Sequence, residues 1–231
     1  MGELFSKLVT GMATLLEWLY KVTVAIGVPN YGLAIIMLTI LVRLVLLPLN
    51  YRQMRSVVAL QQLHPKIKEL QEKYKQDPQK LQQKLMELYR EHNVNPMAGC
   101  LPLLIQLPIL IALYRALLSF PYTVAEHARF LWVPSLSHTD PYFILPVLAG
   151  ITTYWQMKIT PQTAGQEQQQ RMMGILMSGM ILWISATLPA GLALYWVVYN
   201  LISVVQQYFF NRHLLAGGKG ASEFAGSDKE R

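Results

Sequence analysis

The sequence predicts an all-α, polytopic membrane protein: five transmembrane helices around a polar cavity, with an N-terminal amphipathic helix and a helical hairpin outside the bilayer. Three observations predict it. Hydrophobic residues make up 53% of the 231 and charged residues only 14%, with a mean hydropathy of +0.28, whereas soluble domains carry about a quarter charged residues. The apolar residues collect in blocks at 29–50, 98–120, 141–158, 172–188 and 189–210, each close to the ~20 residues that cross ~30 Å of hydrocarbon. The net charge of +7 is also unevenly spread: fifteen Lys/Arg fall in 51–97, 158–171 and 212–231, against Lys7, Lys21 and Arg129 in the alternate segments. By the positive-inside rule this puts the hairpin, the third-to-fourth loop and the C-terminus in the cytoplasm, and the N-terminus outside, as expected for a multi-pass membrane protein. Nucleic-acid binding is a poor second account of the positive charge.

Residues 1–28 carry Leu4, Phe5, Leu8, Met12, Leu15, Leu16 and Leu19 at helical spacing, with Glu3, Lys7, Glu17 and Lys21 between them. Charges recurring along the whole segment predict an interfacial helix and not a span. It shows no basic n-region, apolar run and small-residue cleavage site, so no cleavable signal is expected. The first span is 29–50. Residues 51–97 then form the one substantial soluble element: Leu60, Leu63, Ile67, Leu70 and Tyr74 make one stripe, and Leu81, Leu85 and Leu88 a second. Asp77-Pro78 between them suits the opening of a helix, so two antiparallel helices are expected, with a kink at Pro65. Asn95-Pro96 leads into the second span, 98–120. An extracytoplasmic loop follows at 121–140, then a third span at 141–158 and a cytoplasmic loop at 159–171. Spans four and five, 172–188 and 189–210, are joined by a Leu188-Pro189-Ala190-Gly191 corner. The tail, 211–231, reads as disordered. The single cysteine, Cys100, excludes an internal disulfide and reads as a packed small residue.

Arg43 stands inside the first apolar block. An arginine at a span centre costs roughly 2.5–3.5 kcal/mol on insertion scales. Snorkelling to the membrane edge is one account. Against it, Gly32, Ile36, Thr39, Arg43 and Asn50 share a helix face. Gln106, Gln156 and Ser178 sit in the cytoplasmic halves of three other spans, and Trp196, Asn200, Ser203 and Gln207 run down the last at i, i+4, i+7 and i+11. Any one of these is ordinarily helix-packing glue. Their common depth predicts a wet cavity open to the cytoplasm and sealed outside, with Arg115 snorkelling at the outer rim.

None of the thirteen Asp/Glu falls inside a span, so Arg43 has no intramembrane carboxylate partner. The five histidines are scattered without metal-ligand spacing, and no hydrolase, P-loop or dinucleotide glycine pattern occurs. No catalytic residue, metal or cofactor is expected, and the chain does not read as an enzyme. An unpaired arginine in a wet cavity suits an acidic visitor: an ion, a lipid head group or a polypeptide.

An ordered set of segments resembles the YidC/Oxa/Alb membrane protein insertase family. They are Tyr31-Gly32-Leu33-Ala34-Ile35-Ile36 through Arg43 to Pro48-Leu49, Leu60 to Asp77 with Lys73-Tyr74-Lys75, and Gly99-Cys100-Leu101-Pro102 with Gln106-Leu107-Pro108-Ile109. Asp140-Pro141-Tyr142 with Ile144-Leu145-Pro146, then Pro189-Ala190-Gly191-Leu192 with Leu194-Tyr195-Trp196 and Asn200, complete it. The resemblance covers roughly 30–210. It implies a five-helix core with a lipid-exposed hydrophilic groove, and non-enzymatic insertion and folding of nascent membrane proteins, with or without the Sec translocon. Arg43 becomes the groove arginine, Thr39 its neighbour, Gln106, Gln156, Asn200 and Ser203 groove lining, and Tyr195 and Trp196 the aromatic pair that meets incoming helices. The implied partners are nascent membrane proteins and the lipid bilayer, with the Sec translocon, ribosome or signal recognition particle components as candidates at the hairpin Leu60–Leu88. No large periplasmic domain, lipidated cysteine or long basic tail accompanies these segments, which suggests a compact form. Two rival functions are a small anion channel that selects through Arg43 and an assembly factor whose hairpin merely recruits partners.

Overall fold

Met12, Leu16 and Leu19 recur on one face of the first helix, α1 (Gly2–Ala25), and all three are buried. The computed structural model describes residues 2–92, 94, 101–160 and 167–216. Among them the regular elements are helices, with one 3-10 turn at Ala125–Ala128 and an isolated bridge between Phe130 and Val133. Asn95-Pro96, Cys100, residues 161–166 and the tail from 217 lie outside the described residues. Helix α1 closes on Gly27, whose φ of +81° takes the left-handed conformation. Val28 N donates to Thr23 O at 3.0 Å and Gly27 N to Val24 O at 3.0 Å, the double bond pattern that satisfies the last carbonyls of a helix.

Asn30 opens the second helix, α2 (Tyr31–Val45), because its Oδ1 accepts from Leu33 N at 3.1 Å and so satisfies a first-turn donor. Its Nδ2 donates to Arg129 O at 2.7 Å, tying the helix start to the 121–140 loop. The sequence places one span over 29–50, but the helix breaks at Leu46. Pro48 has no N–H to donate and its ring crowds the carbonyl four residues back. The chain restarts as α3 (Leu47–Gln62), bent by 59° from α2. No single helix among the described residues is long and apolar enough to cross a membrane; α2 and α3 through Leu60 reach that length and composition only together, as this bent pair.

Leu63 interrupts the chain again, and Pro65 lies in the first turn of α4 (His64–Lys73). The kink expected at Pro65 is therefore a helix start. Asp77 caps α5 (Pro78–Glu91) by accepting from Lys80 N at 3.0 Å, with Pro78 in the first turn. Buried Leu63, Ile67 and Leu88, with Leu70, Leu85 and Tyr89 packed on them, hold α4 and α5 together in a small core of their own.

The main core joins α1, α2, α6 (Leu101–Ser119) and α9 (Ala190–Ala216) with the 121–140 loop. Helix α1 docks its apolar face on α2 and α6. Helices α7 (Ile144–Ile159) and α8 (Glu167–Thr187) pack against each other, and α7 also packs on α9 around Ala149, Ile181 and Val197. Helix α9 continues to Ala216, so residues 211–216 are helical where the sequence reading has tail.

Backbone carbonyls of the 121–140 loop cap α9: Ala190 N donates to His138 O at 2.7 Å and Gly191 N to Leu136 O at 2.9 Å. A Cβ on Gly191 would lie 3.2 Å from that carbonyl, and one on Gly32 would lie 2.2 Å from the Phe130 ring. Asp140, 3% exposed, accepts from Tyr142 N at 3.1 Å, Leu145 N at 2.7 Å and Trp132 Nε1 at 3.3 Å. It fixes the loop and the start of α7 together.

Candidate functional site

Arg43 occupies the last turn of α2, just before the bend, and is 6% exposed. A cation there faces the carbonyl end of the helix dipole, the favourable end for positive charge. Its guanidinium carbon lies 3.6 Å from the centre of the Tyr199 ring, stacked on its face. Nη2 donates to Tyr199 O at 3.1 Å, and Nη1 makes a long bond to Gln206 Oε1 at 3.4 Å. Nε, although buried, has no hydrogen-bond partner among the described residues. The charge is thus held by a π-face and neutral oxygens.

Tyr199 and Gln206 belong to a stripe on α9 that the sequence reading did not single out. Tyr195, Tyr199 and Gln206 stand at i, i+4 and i+11, one residue out of step with Trp196, Asn200 and Gln207. The first stripe meets α2 and α6. Buried Gln106, from α6, donates through Nε2 to the Tyr195 hydroxyl at 2.8 Å, and the Tyr195 and Tyr199 rings lie 5.8 Å apart. Ser203 belongs here as well: its hydroxyl donates to Tyr199 O at 2.7 Å, the same carbonyl that receives Arg43.

Trp196 and Asn200 of the second stripe meet α7, while Gln207 Nε2 donates to Met54 Sδ on α3 at 3.0 Å. Asn200, 1% exposed, donates to Gln156 Oε1 at 2.9 Å, and its oxygen accepts from Thr153 Oγ1 at 2.8 Å and Trp196 Nε1 at 3.3 Å. Trp196 Nε1 also donates to Thr153 Oγ1 at 3.0 Å. Asn200 and Gln156, expected as groove lining, therefore bond to each other, and Asn200 and Trp196, the latter expected to meet incoming helices, bond to each other and to Thr153, which the sequence reading missed. Thr39 is fully buried and donates to Ile35 O on its own helix at 2.7 Å. It shares Arg43's face without bonding to it. Ser178 likewise turns back on its own helix, donating to Ile175 O at 2.9 Å.

At the far end of α2 a cluster of rings packs between α1, α2 and the loop. Tyr20 stacks on Tyr31 at 4.1 Å, and Tyr31 meets Phe120 and Tyr122 edge-on at 5.4 and 5.2 Å. The Tyr20 hydroxyl bonds to His127 Nδ1 at 2.7 Å, and Tyr31 to Thr123 Oγ1 at 3.2 Å. Burial pushes the Tyr122 phenol up to about 12, because the charged phenolate loses water there. This end of the bundle is closed by packed rings and capped backbone. Among the described residues no three His, Cys, Asp or Glu side chains converge as metal ligands.

A helical bundle with an arginine buried against neutral acceptors, and mostly apolar residues around it, is the arrangement the sequence led one to expect of a membrane protein. The comparisons narrow that class. The profile of the family described as 60Kd inner membrane protein matches residues 21–216. A protein of Helicobacter pylori named membrane protein insertase YidC is 45% identical over 204 residues, covering 88% of this chain and 36% of that one. Its namesake in Wolinella succinogenes is 45% identical over 211 residues, 90% of this chain and 38% of that one. A crystal structure of an active YidC insertase with its first transmembrane domain resolved superposes with a TM-score of 0.69 at 32% identity, over 89% of this chain and 46% of that one. The chain belongs to the YidC/Oxa1 membrane protein insertase family. It spans little more than a third of the length of these curated relatives.

Proposed function

We propose that this chain inserts nascent membrane proteins into a bacterial inner membrane, without bond-making chemistry, through a polar groove that contains Arg43. Its five spans would be those read from the sequence, with α2 and α3 sharing the first around the bend, the N-terminus outside and the α4–α5 hairpin in the cytoplasm. A short acidic segment of the incoming protein enters from the cytoplasmic side. Polar side chains and water there lower the desolvation cost that hydrocarbon would impose. Arg43 pairs transiently with its carboxylates, and the apolar span then leaves sideways into lipid. The membrane potential, about 2.3 kcal/mol per charge per 100 mV, helps draw acidic segments outward.

The observation that carries this reading is the state of Arg43: buried, without a carboxylate, its Nε unbonded among the described residues. Family membership and the relatives named insertase support it, as do the closed rings and capped backbone at the opposite end of α2. The test is insertion of a single-span substrate with an acidic tail into proteoliposomes that contain this chain. Arg43→Ala should slow that substrate by about tenfold, on the scale of a charge-assisted hydrogen bond. A neutral-tailed substrate should be spared. Wild-type rates for both would refute the reading.

A further inference from the structure

Tyr199 grips Arg43 at two places. Its ring lies flat on one face of the guanidinium, 3.6 Å from centroid to carbon, and its backbone oxygen accepts from Nη2 at 3.1 Å. Ser203 donates to that same oxygen at 2.7 Å. The far end of the fork is only loosely held, by Gln206 at 3.4 Å. A guanidinium is a planar fork, and carboxylates engage it in its plane through two parallel N–H groups along one edge. A ring stacked on the face does not occupy the in-plane N–H groups and fixes the direction in which they point, with Nη2 and Nη1 taken by Tyr199 O and Gln206. The Nε edge is the one with a buried, unbonded donor among the described residues.

We propose that Tyr199 is a positioning residue for Arg43: it sets the guanidinium plane so that the Nε edge meets an acidic side chain of the entering polypeptide. The proposal rests on the insertase reading above. It separates the ring, which orients, from the hydroxyl, which plays no part. Leucine at 199 keeps the backbone carbonyl and an apolar side chain but removes the π-face. Phenylalanine keeps both carbonyl and face.

The experiment reconstitutes the full chain as wild type, Tyr199→Phe, Tyr199→Leu and Arg43→Ala, and measures insertion of acidic-tailed and neutral-tailed versions of one single-span substrate. The neutral tail reports whether each variant is folded and competent. Tyr199→Phe should match wild type on both substrates. Tyr199→Leu should insert the acidic tail about thirtyfold more slowly, the scale of a desolvated cation–π contact, and the neutral tail at the wild-type rate. Adding Tyr199→Leu to Arg43→Ala should change nothing further. If Arg43→Ala slows the acidic tail and Tyr199→Leu does not, or speeds it, the positioning role is overturned while the insertase reading stands. Equal slowing of both tails by Tyr199→Leu would make the ring merely structural, which also overturns it. If Arg43→Ala itself has no effect, the insertase reading fails first.

Discussion

Asn200→Ala asks whether the α7-facing stripe is a lining for substrates or a joint between helices. The substitution removes the bond to Gln156 and those from Thr153 and Trp196. Polar contacts between membrane helices average about 0.6 kcal/mol each, so the two that reach α7, to Gln156 and from Thr153, amount to about 1 kcal/mol, the Trp196 bond lying within α9. Trp196 keeps Thr153 as an acceptor at 3.0 Å, so Gln156 Oε1 is the main group to lose its partner. An orphaned buried polar atom can add about 1 kcal/mol. Equilibrium unfolding in mixed detergent should therefore show a loss of about 2 kcal/mol for Asn200→Ala. A cycle with Gln156→Ala should return a coupling of about 0.5–1 kcal/mol, as for contacting pairs. In proteoliposomes the variant should lose activity on acidic-tailed and neutral-tailed substrates alike, in proportion to its folded fraction. A stability change below about 0.5 kcal/mol, within the range of surface substitutions, would refute the joint. So would an undiminished fold with a defect confined to one substrate.

Two further substitutions probe the closed end of the bundle. Gly32→Ala puts a Cβ 2.2 Å from the Phe130 ring; thermal melting should show a loss of about 1–3 kcal/mol, as in overpacked cores, largely recovered by a smaller residue at 130. Asp140→Asn turns an amide donor toward the N–H groups of Tyr142, Leu145 or Trp132; it should cost about 1–3 kcal/mol, the usual value of losing hydrogen bonds to a buried charged group, and the same melting experiment reads it.

What was legible in the sequence is what local chemistry decides. Asp77-Pro78 marks a helix start because a carboxylate accepts from first-turn amides and proline needs no donor there, and α5 begins at Pro78. Arg43 stands out because few side chains cost so much in an apolar run. Tyr199 did not stand out, because an aromatic residue in an apolar helix reads equally well as core or as lipid-facing surface. Which of α9's two stripes meets α2 and which meets α7 depends on how that helix is rotated in the bundle, and packing decides that. The docking of α1 escaped for a related reason. Its charges argue against a span, but they do not say whether the apolar face rests on lipid or, as Met12, Leu16 and Leu19 do, in the protein core. The capping of α9 by carbonyls of Leu136 and His138 has no sequence signature, since every residue carries a carbonyl.

The way Arg43 is stabilised bears directly on what it can do. Burying an arginine in a span costs roughly 2.5–3.5 kcal/mol on insertion scales. The bend at Leu46 puts Arg43 in the last turn of α2, where the helix dipole returns about 0.3–1 kcal/mol. The stacked Tyr199 ring returns about 2 kcal/mol in a desolvated setting, so the charge is tolerated without a carboxylate from the described residues. A resident carboxylate would have stabilised it too, but breaking a buried ion pair costs about 3–5 kcal/mol. Each acidic visitor would first have had to meet that cost. On the proposed mechanism a cation held by a ring and by neutral oxygens would keep its full charge on offer, and a visiting carboxylate would have no ion pair among the described residues to displace. The same weak hold would let such a visitor leave, as the proposed transient contact requires.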